Sequence, residues 1–242
     1  DILVIFKPPG WEVDLQPEEQ RSQEKGRLSE FLLRMYPRWG PSTLLSDASK
    51  QHGFLHRLDV PSSGLLLAAT NHRAYYDLHF QMATGALVRD YVVMSHGWLS
   101  PRRHEIQAPV HWWDSAAMAE APSTILASGR ASKSFLKVLA YLGKSGLALS
   151  FLAIRIGTGR RHQIRAHAAH TGHALVTDGK YSSSAEYAES CPWCSRNFLH
   201  RYQLCFEDLH GIQVQAAEIL PSDLTAAVTQ TTVMRSAMDL QS

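Results

Sequence analysis

Near the first quarter of the chain, "HRLDVPSSGLLLAAT" (His56 to Thr70) sets one arginine and one aspartate between leucines, ahead of an uncharged run. An aspartate so placed is a helix cap, half of a buried ion pair, or a catalytic carboxylate with Arg57 as its electrostatic partner. A second stretch, "GTGRRHQIRAHAAHTGHALVTDGKY" (Gly157 to Tyr181), gathers cations. From Arg155 to Lys180 there are four Arg, one Lys and four His, with Asp178 the only carboxylate. Arg161 and Arg165 are four apart, so a helix puts them on one side. Arg160 and Arg161 at its start would meet the unfavourable end of the helix dipole. That cost makes sense opposite an anion or a carboxylate; the alternative is a basic, solvated face.

Other chemistries fit less well. His167, His170 and His173 are three apart, with His162 ahead of them, which suggests a metal. A hydrolytic zinc site adds a nearby Glu or Asp, and "HAAHTGH" has neither, so phosphate contact or core hydrogen bonding is the better reading. Cys191 and Cys194 in "CPWC" have the spacing of half a zinc site or of a redox pair. No second cysteine pair follows, although His200 and Cys205 could supplement the first. A Pro- and Trp-containing loop leading into a strand is the wrong setting for a redox motif. These thiols are read as inert, with structural zinc as the weaker alternative. "GKSG" lacks the frame of a nucleotide loop, and no G-x-S-x-G elbow occurs. Asp59 remains the best candidate carboxylate, and neither a metal nor a cofactor is expected.

The elements that must position these residues follow from periodicity. Ile2 to Phe6 reads as a short buried strand ended by "KPPG". Glu12 to Gly26 is a polar surface stretch, and Leu28, Phe31, Leu32 and Met35 mark a helix that stops by Pro37. "GPSTLLSDASKQHG" reads as a linker. "NHRAYYDLHFQMATG" is a helix closed by Gly85, and Leu87 to Trp98 is a strand. "HEIQAPVHWWDSAAMAEAPSTILASGRASKS" is mostly loop, with an insertion around Trp112 to Pro122. "FLKVLAYL" and "LALSFLAIRIG" bracket the turn "GKSG". A helix begins near His162 and ends before Gly172. Two late strands, "FLHRYQLCFED" and "GIQVQAAE", precede a closing helix over "PSDLTAAVTQTTVMRSAMD", capped by Ser222 or Asp223. Helices and strands mingle without a βαβ rhythm, which implies an α+β fold with a mixed, mainly antiparallel sheet. No linker splits the chain cleanly, so one catalytic domain over 1–242 is expected.

The 242 residues, 45% hydrophobic and 19% charged, describe an ordinary globular chain able to bury a sizeable core. No run of apolar residues is long enough to span a membrane. A net charge of +2 speaks neither for nor against nucleic acid; its distribution matters more. Three cysteines make no disulfide framework, which favours a reducing compartment, cytoplasm or organelle matrix. The start at Asp1, without Met, suggests a trimmed terminus. A monomer is expected.

Taken together, the segments resemble the RluA-type pseudouridine synthases. "HRLDVPSSGLLLAAT" is similar to the family signature, in which H-R-L-D precedes a Thr/Ser-Ser-Gly-Leu turn. "LVRDYVVMSHG" resembles the second segment, a basic residue two before a Tyr. "GTGRRHQIRAHAAHTGHALVTDGKY" resembles the third, with its Q-I-R-x-H, Gly-His and Asp-x-x-Tyr. "FLHRYQLCFED" and "VIFKPPGWEV" resemble the closing and opening strands. The pieces keep family order across residues 1 to 220, with 221–242 a terminal helix or tail.

The resemblance implies a central sheet bisected by an RNA-binding cleft, and conversion of a specific uridine to pseudouridine in ribosomal RNA in preference to transfer RNA. It makes Asp59 the catalytic aspartate, Arg165 its partner and Tyr91 the platform against the uracil. Arg57 braces the RNA near the flipped nucleotide. Gln163 and Ile164 line the cleft beside His162, and Arg160 and Arg161 meet phosphates. The reaction breaks an N-glycosidic bond and forms a C–C bond with no net oxidation or hydrolysis, so no cofactor is required. The competing readings are a synthase-fold RNA-binding or ribosome-assembly protein that has lost turnover, and a zinc-dependent hydrolase. Four departures stand out: Val13-Asp14-Leu15 in place of Val-His-Pro, Arg161 in place of Thr, Ser62 in place of Thr, and the "HWWD" segment. The last, residues 111–122, is expected to be a partner- or substrate-specific loop.

Overall fold

The computed structural model describes residues 1–13, 26–35, 44–113 and 121–236. The expected Pro37 helix stop, the substitution at Asp14-Leu15, most of the Trp112–Pro122 insertion and the last residues of the tail lie outside them. The chain divides into two compact units, Asp1–Arg89 with Arg201–Glu218, and Asp90–His200 with Ile219–Ser242.

The first unit is built on strands β1 (Ile2–Lys7), β2 (Ser63–Ala69), most of β9 (Leu199–Glu207) and β10 (Gln213–Ala217), neighbours in that order. β1 pairs antiparallel with β2 from Ile2↔Ala69 to Lys7↔Gly64, and β10 pairs antiparallel with β9. β2 is buried along its whole length, as its unbroken apolar run requires. β1 is not: Val4 and Phe6 are 40% and 39% exposed, because an outer strand has a sheet neighbour on one side only. Helix α1 (Leu28–Met35) turns Leu28 and Leu32 inward. Helix α2 (His72–Thr84) opens on Asn71, whose side chain accepts from the Ala74 N–H, and closes on left-handed Gly85. Its Ala74, Tyr75 and Leu78 pack on Leu65, Leu67, Leu204 and Phe206. The stretch read as a linker is a correction: Leu44 and Leu45 are fully buried, and Leu44 joins this same core.

The second unit holds β3 (Val88–His96) from Asp90 onward, then β8 (Leu147–Ile156), β7 (Lys133–Lys144) and β11 (Thr232–Ser236) in sheet order, all antiparallel. β7 and β8 form a hairpin whose tip, Ser145-Gly146, has positive φ at both residues, which suits the strand twist. The far edge of β7 is shared by β11 and the short β4 (Glu105–Gln107). The segment expected to be loop also supplies a two-stranded ribbon of β5 (Val110–His111) and β6 (Thr124–Ile125). Helix α3 (Gln163–His170) appears where expected. Helix α4 (Ser184–Ser190), opened by a Ser183–Glu186 capping box, is an element the sequence reading lacks. The tail is corrected as well: helix α5 (Ser222–Thr229) begins after Pro221 with no side-chain cap, and Thr232–Ser236 is strand β11 rather than more helix. The β-branched Thr231-Thr232-Val233 run explains the switch. Among the described residues no helix is long and apolar enough to cross a membrane.

The expected α+β fold with a mainly antiparallel sheet is the one observed.

Candidate active site

In the first unit, the turn carrying Asp59 is fastened through its main chain. The Ser62 N–H closes it on the Asp59 carbonyl at 3.0 Å, and the Gly10 N–H holds the Val60 carbonyl at 2.8 Å. Two buried cations reinforce this. Lys7, fully buried, spends all three ammonium protons on the carbonyls of Pro8 (2.9 Å), Trp11 (2.8 Å) and Val60 (3.1 Å). Arg201, 1% exposed, donates from Nη1 to the Leu65 carbonyl at 3.0 Å and from Nη2, at a long 3.5 Å, to the Arg57 carbonyl. Carbonyls on both sides of Asp59 are therefore fixed by positive side chains, while the Arg57 side chain is exposed and Asp59 is half-buried.

The glycine of the signature has a steric reason. At Gly64, φ is +129°, and a Cβ would stand 2.3 Å from the Arg201 carbonyl oxygen. Only a residue without a side chain lets the backbones come this close. His56 accepts the Leu67 N–H on Nε2 at 3.2 Å, which places its proton on Nδ1. Burial, then the charges of Arg201 and Arg89, hold its imidazole well below the usual range, so this histidine is neutral and braces β2.

In the second unit the focus is Arg165, on the buried side of α3. Its Nε and Nη2 meet Asp178 Oδ2 and Oδ1 at 2.7 and 2.6 Å, a bidentate pair with side chains 5% and 0% exposed. The Asp178 oxygens also receive the Lys180 N–H. Tyr181 lies beneath the guanidinium, 4.9 Å from ring centre to Cζ. Burial pushes the Tyr181 phenol up to about 12, against the opposing charge of Arg165. The turn that presents Asp178 is strained: Thr177, a β-branched residue, has φ +56°. It is held by its N–H on Ser190 Oγ (3.2 Å) and its hydroxyl on the Cys194 carbonyl (3.0 Å).

The entry to α3 differs from expectation. The helix begins at Gln163, after His162 in a left-handed conformation, so Arg160 and Arg161 precede it rather than forming its first turn. The Gln163 Oε1 accepts from Thr158 Oγ1 (2.7 Å) and the Arg160 N–H (3.1 Å). Its Nε2 donates to the Lys133 carbonyl and Ser134 Oγ, both at 3.0 Å. Gln163 is thus committed to shaping the loop. Ile164 is 6% exposed and lines a small interior cavity with Leu152, Ile154 and His167. Arg160 reaches the Ala131 carbonyl at 3.3 Å and Arg161 the Ala121 carbonyl at 3.2 Å. His162 Nδ1 lies 3.1 Å from the Tyr181 hydroxyl.

Tyr91 is 3% exposed and opposite Ile154 in the β3–β8 ladder. Its neighbour Asp90 takes a bidentate pair from Arg155 across that ladder at 2.7 and 2.8 Å, which pins the register that aims Tyr91. Within the second unit the structure brings Arg165, Gln163, His162 and Arg161 onto one loop and helix start, with Asp178 and Tyr181 beside them. Sequence reasoning assigned Asp178 and Tyr181 no role, although Asp178 was the lone acid in a basic run.

The other candidates have structural duties. Both nitrogens of His167 are used, Nδ1 with Ser134 Oγ (3.0 Å) and Nε2 with the Ala108 carbonyl (2.9 Å), and His173 Nδ1 meets the His96 carbonyl. Cys194 is buried, with its thiol on the Arg196 carbonyl. Burial raises its pKa, which makes it a poor thiolate. Among the described residues no group of three or more His, Cys, Asp or Glu could hold a metal ion.

A family model described as RNA pseudouridylate synthase matches residues 1–170. The ribosomal large subunit pseudouridine synthase D of Nitrosomonas europaea is 31% identical over 231 residues, covering 93% of this chain and 61% of that protein. An uncharacterized RNA pseudouridine synthase of Chloroflexus aurantiacus is 30% identical over 227 residues, covering 93% and 65%. The chain thus spans less than two thirds of the length of either relative. Among solved structures, human RNA pseudouridylate synthase domain containing 1 superposes with a TM-score of 0.73 at 22% identity, covering 98% of this chain and 86% of that one.

Proposed function

The chain belongs to the RNA pseudouridylate synthase family, and from that premise we propose that it is an RluA-type enzyme isomerising one uridine in structured RNA. Ribosomal RNA is the favoured substrate, in line with the name of the Nitrosomonas relative, a ribosomal large subunit synthase. Asp59 meets the ribose of the target, attacking it covalently or taking its proton while the glycosidic bond breaks. The freed uracil turns and its C5 bonds C1′, releasing Asp59 where an adduct had formed; the C5 proton is then lost and N1 ends protonated, so the product is an isomer of the substrate. The family resemblance makes Arg165 the counter-charge that keeps the aspartate ionised, a role it would share with holding Asp178, its bidentate partner. The target base leaves its stack and recovers part of that cost on Tyr91. Arg57, Arg160 and Arg161 take phosphates, for which guanidinium geometry is suited.

The observation that carries this reading is the seating of the Asp59 turn. Burying Lys7 and Arg201 costs desolvation energy, and each sets one donor on a carbonyl beside Asp59, Lys7 on that of Val60 and Arg201 on that of Arg57. A turn whose main chain is fastened on both sides of the aspartate is pre-organised for chemistry rather than for capping. The test is pseudouridine mapping of cellular RNA with and without the gene. A site lost on deletion returns with the native protein and not with Asp59→Asn, whose RNA affinity stays nearly native. Restoration of the site by Asp59→Asn refutes the assignment.

A further inference from the structure

The β5–β6 ribbon is tied down beside the start of β6. The Tyr181 hydroxyl accepts the Ser123 N–H at 2.6 Å and donates to the Ser123 carbonyl at 3.0 Å, so both main-chain groups of the residue before β6 are held by one phenol. The Arg161 bond to the Ala121 carbonyl adds a second tie two residues earlier. The same ring that clamps the ribbon through its hydroxyl carries Arg165 on its face. With its phenol pushed up to about 12, Tyr181 stays protonated at any working pH, and its donor is never lost.

The ribbon itself is suited to nucleic acid. Arg130, hydrogen-bonded both ways to Val110 at 2.9 Å, stacks its guanidinium 4.5 Å from the Trp112 ring centre. His111 packs edge-on against Trp113 at 5.0 Å, and Trp113 is 37% exposed. A half-buried Trp112 under a guanidinium, next to an exposed Trp113, offers a surface for unstacked bases and their phosphates.

We infer that Tyr181 is a positioning residue which couples the ribbon to Arg165, so that RNA engaging the ribbon is held in register with the arginine. The inference rests on the proposed function for its substrate, while the clamp itself stands on geometry alone. Two substitutions in the full chain separate its two halves. Tyr181→Phe keeps the ring under Arg165 and removes the hydroxyl; Tyr181→Leu removes both.

Limited thermolysin digestion, with cleavage mapped by mass spectrometry, reads the clamp without any catalysis. Steady-state isomerisation reads the coupling. For Tyr181→Phe we expect cleavage within residues 121–130 to accelerate on the order of tenfold, while the rest of the chain stays protected. With two hydrogen bonds to the ribbon lost, and the contact with His162 besides, KM for RNA rises on the order of tenfold and the change in kcat is small. Tyr181→Leu lowers kcat as well. Unchanged cleavage in Tyr181→Phe, cleavage spread over the whole chain, or an equal kcat loss in both variants overturns the inference. If the native protein isomerises no RNA, the proposed function falls, and the digestion pattern alone decides the clamp.

Discussion

Replacing Asp178 by Asn tests how much the molecule depends on the Arg165 pair. The substitution keeps the shape but removes the charge, and it sets an amide N–H₂ against one of the two guanidinium donors now bound at 2.7 and 2.6 Å. Arg165 keeps its charge at any accessible pH and has a side chain only 5% exposed. Removing one partner of a buried pair costs about 3–5 kcal/mol, a large share of the roughly 5–15 kcal/mol that holds a domain together. In a chain of this size each kcal/mol moves the melting point by about 2–4 °C. The expected fall is therefore roughly 6–20 °C, read by circular dichroism at fixed pH and salt. The double variant Arg165→Met with Asp178→Leu recovers part of that loss, because an apolar pair leaves no charge stranded, yet stays inactive under the proposed mechanism. A melting point for Asp178→Asn within about 2 °C of native refutes the reasoning, since the pair would then be stabilising nothing.

Acid should loosen the protein well before its carboxylates titrate. Burial depresses the imidazoles of His56, His79, His96 and His167 below the ordinary 6.5. The unfolded chain takes up these protons first, so stability is complete above about pH 6.5 and declines as the pH falls below it. A melting point that is flat between pH 7.5 and 5.5 would rule this out. Arg161→Ala should weaken RNA binding alike on every sequence and lower the slope of log K against log salt by about 1. An unchanged slope removes Arg161 from the phosphate contacts.

The chemistry of the signature was legible because residue type and spacing carry it: an aspartate between leucines, a glycine behind it, a cluster of arginines. What holds those residues was not. Lys7 and Arg201 reach the Asp59 turn from 53 and 144 positions away, and nothing local in "FKPPG" or "LHRYQ" announces such a bond. Asp178 was visible as the lone acid in a basic run, yet pairing it with Arg165 requires the turn at Thr177, whose left-handed backbone contradicts the preference of a threonine. The secondary structure was read well where periodicity was strong, as in α2 and the β7–β8 hairpin. It failed where a pattern was carried too far. The helical rhythm of "LTAAV" was extended across Thr231 to Val233, and the polar surroundings of Leu44 and Leu45 hid a buried pair. The type of Gln163 suits a cleft lining and the closing of a loop equally, and only its four hydrogen bonds decide for the loop.

The order in which the chain is made bears on when an active turn can exist. The first unit is discontinuous: it is left within β3 and regained only at Arg201. Leu204 and Phe206, which complete its core around Leu65 and Leu67, belong to that late return, as does the backbone that Gly64 was left bare to receive. A ribosome that has delivered residues 1–89 has therefore delivered Asp59 without the strand that seats it. The intervening 111 residues, Asp90 to His200, must emerge first. Synthesis thus delays assembly of the aspartate's setting until most of the chain exists, so a truncated product carries the signature without the framework that arms it.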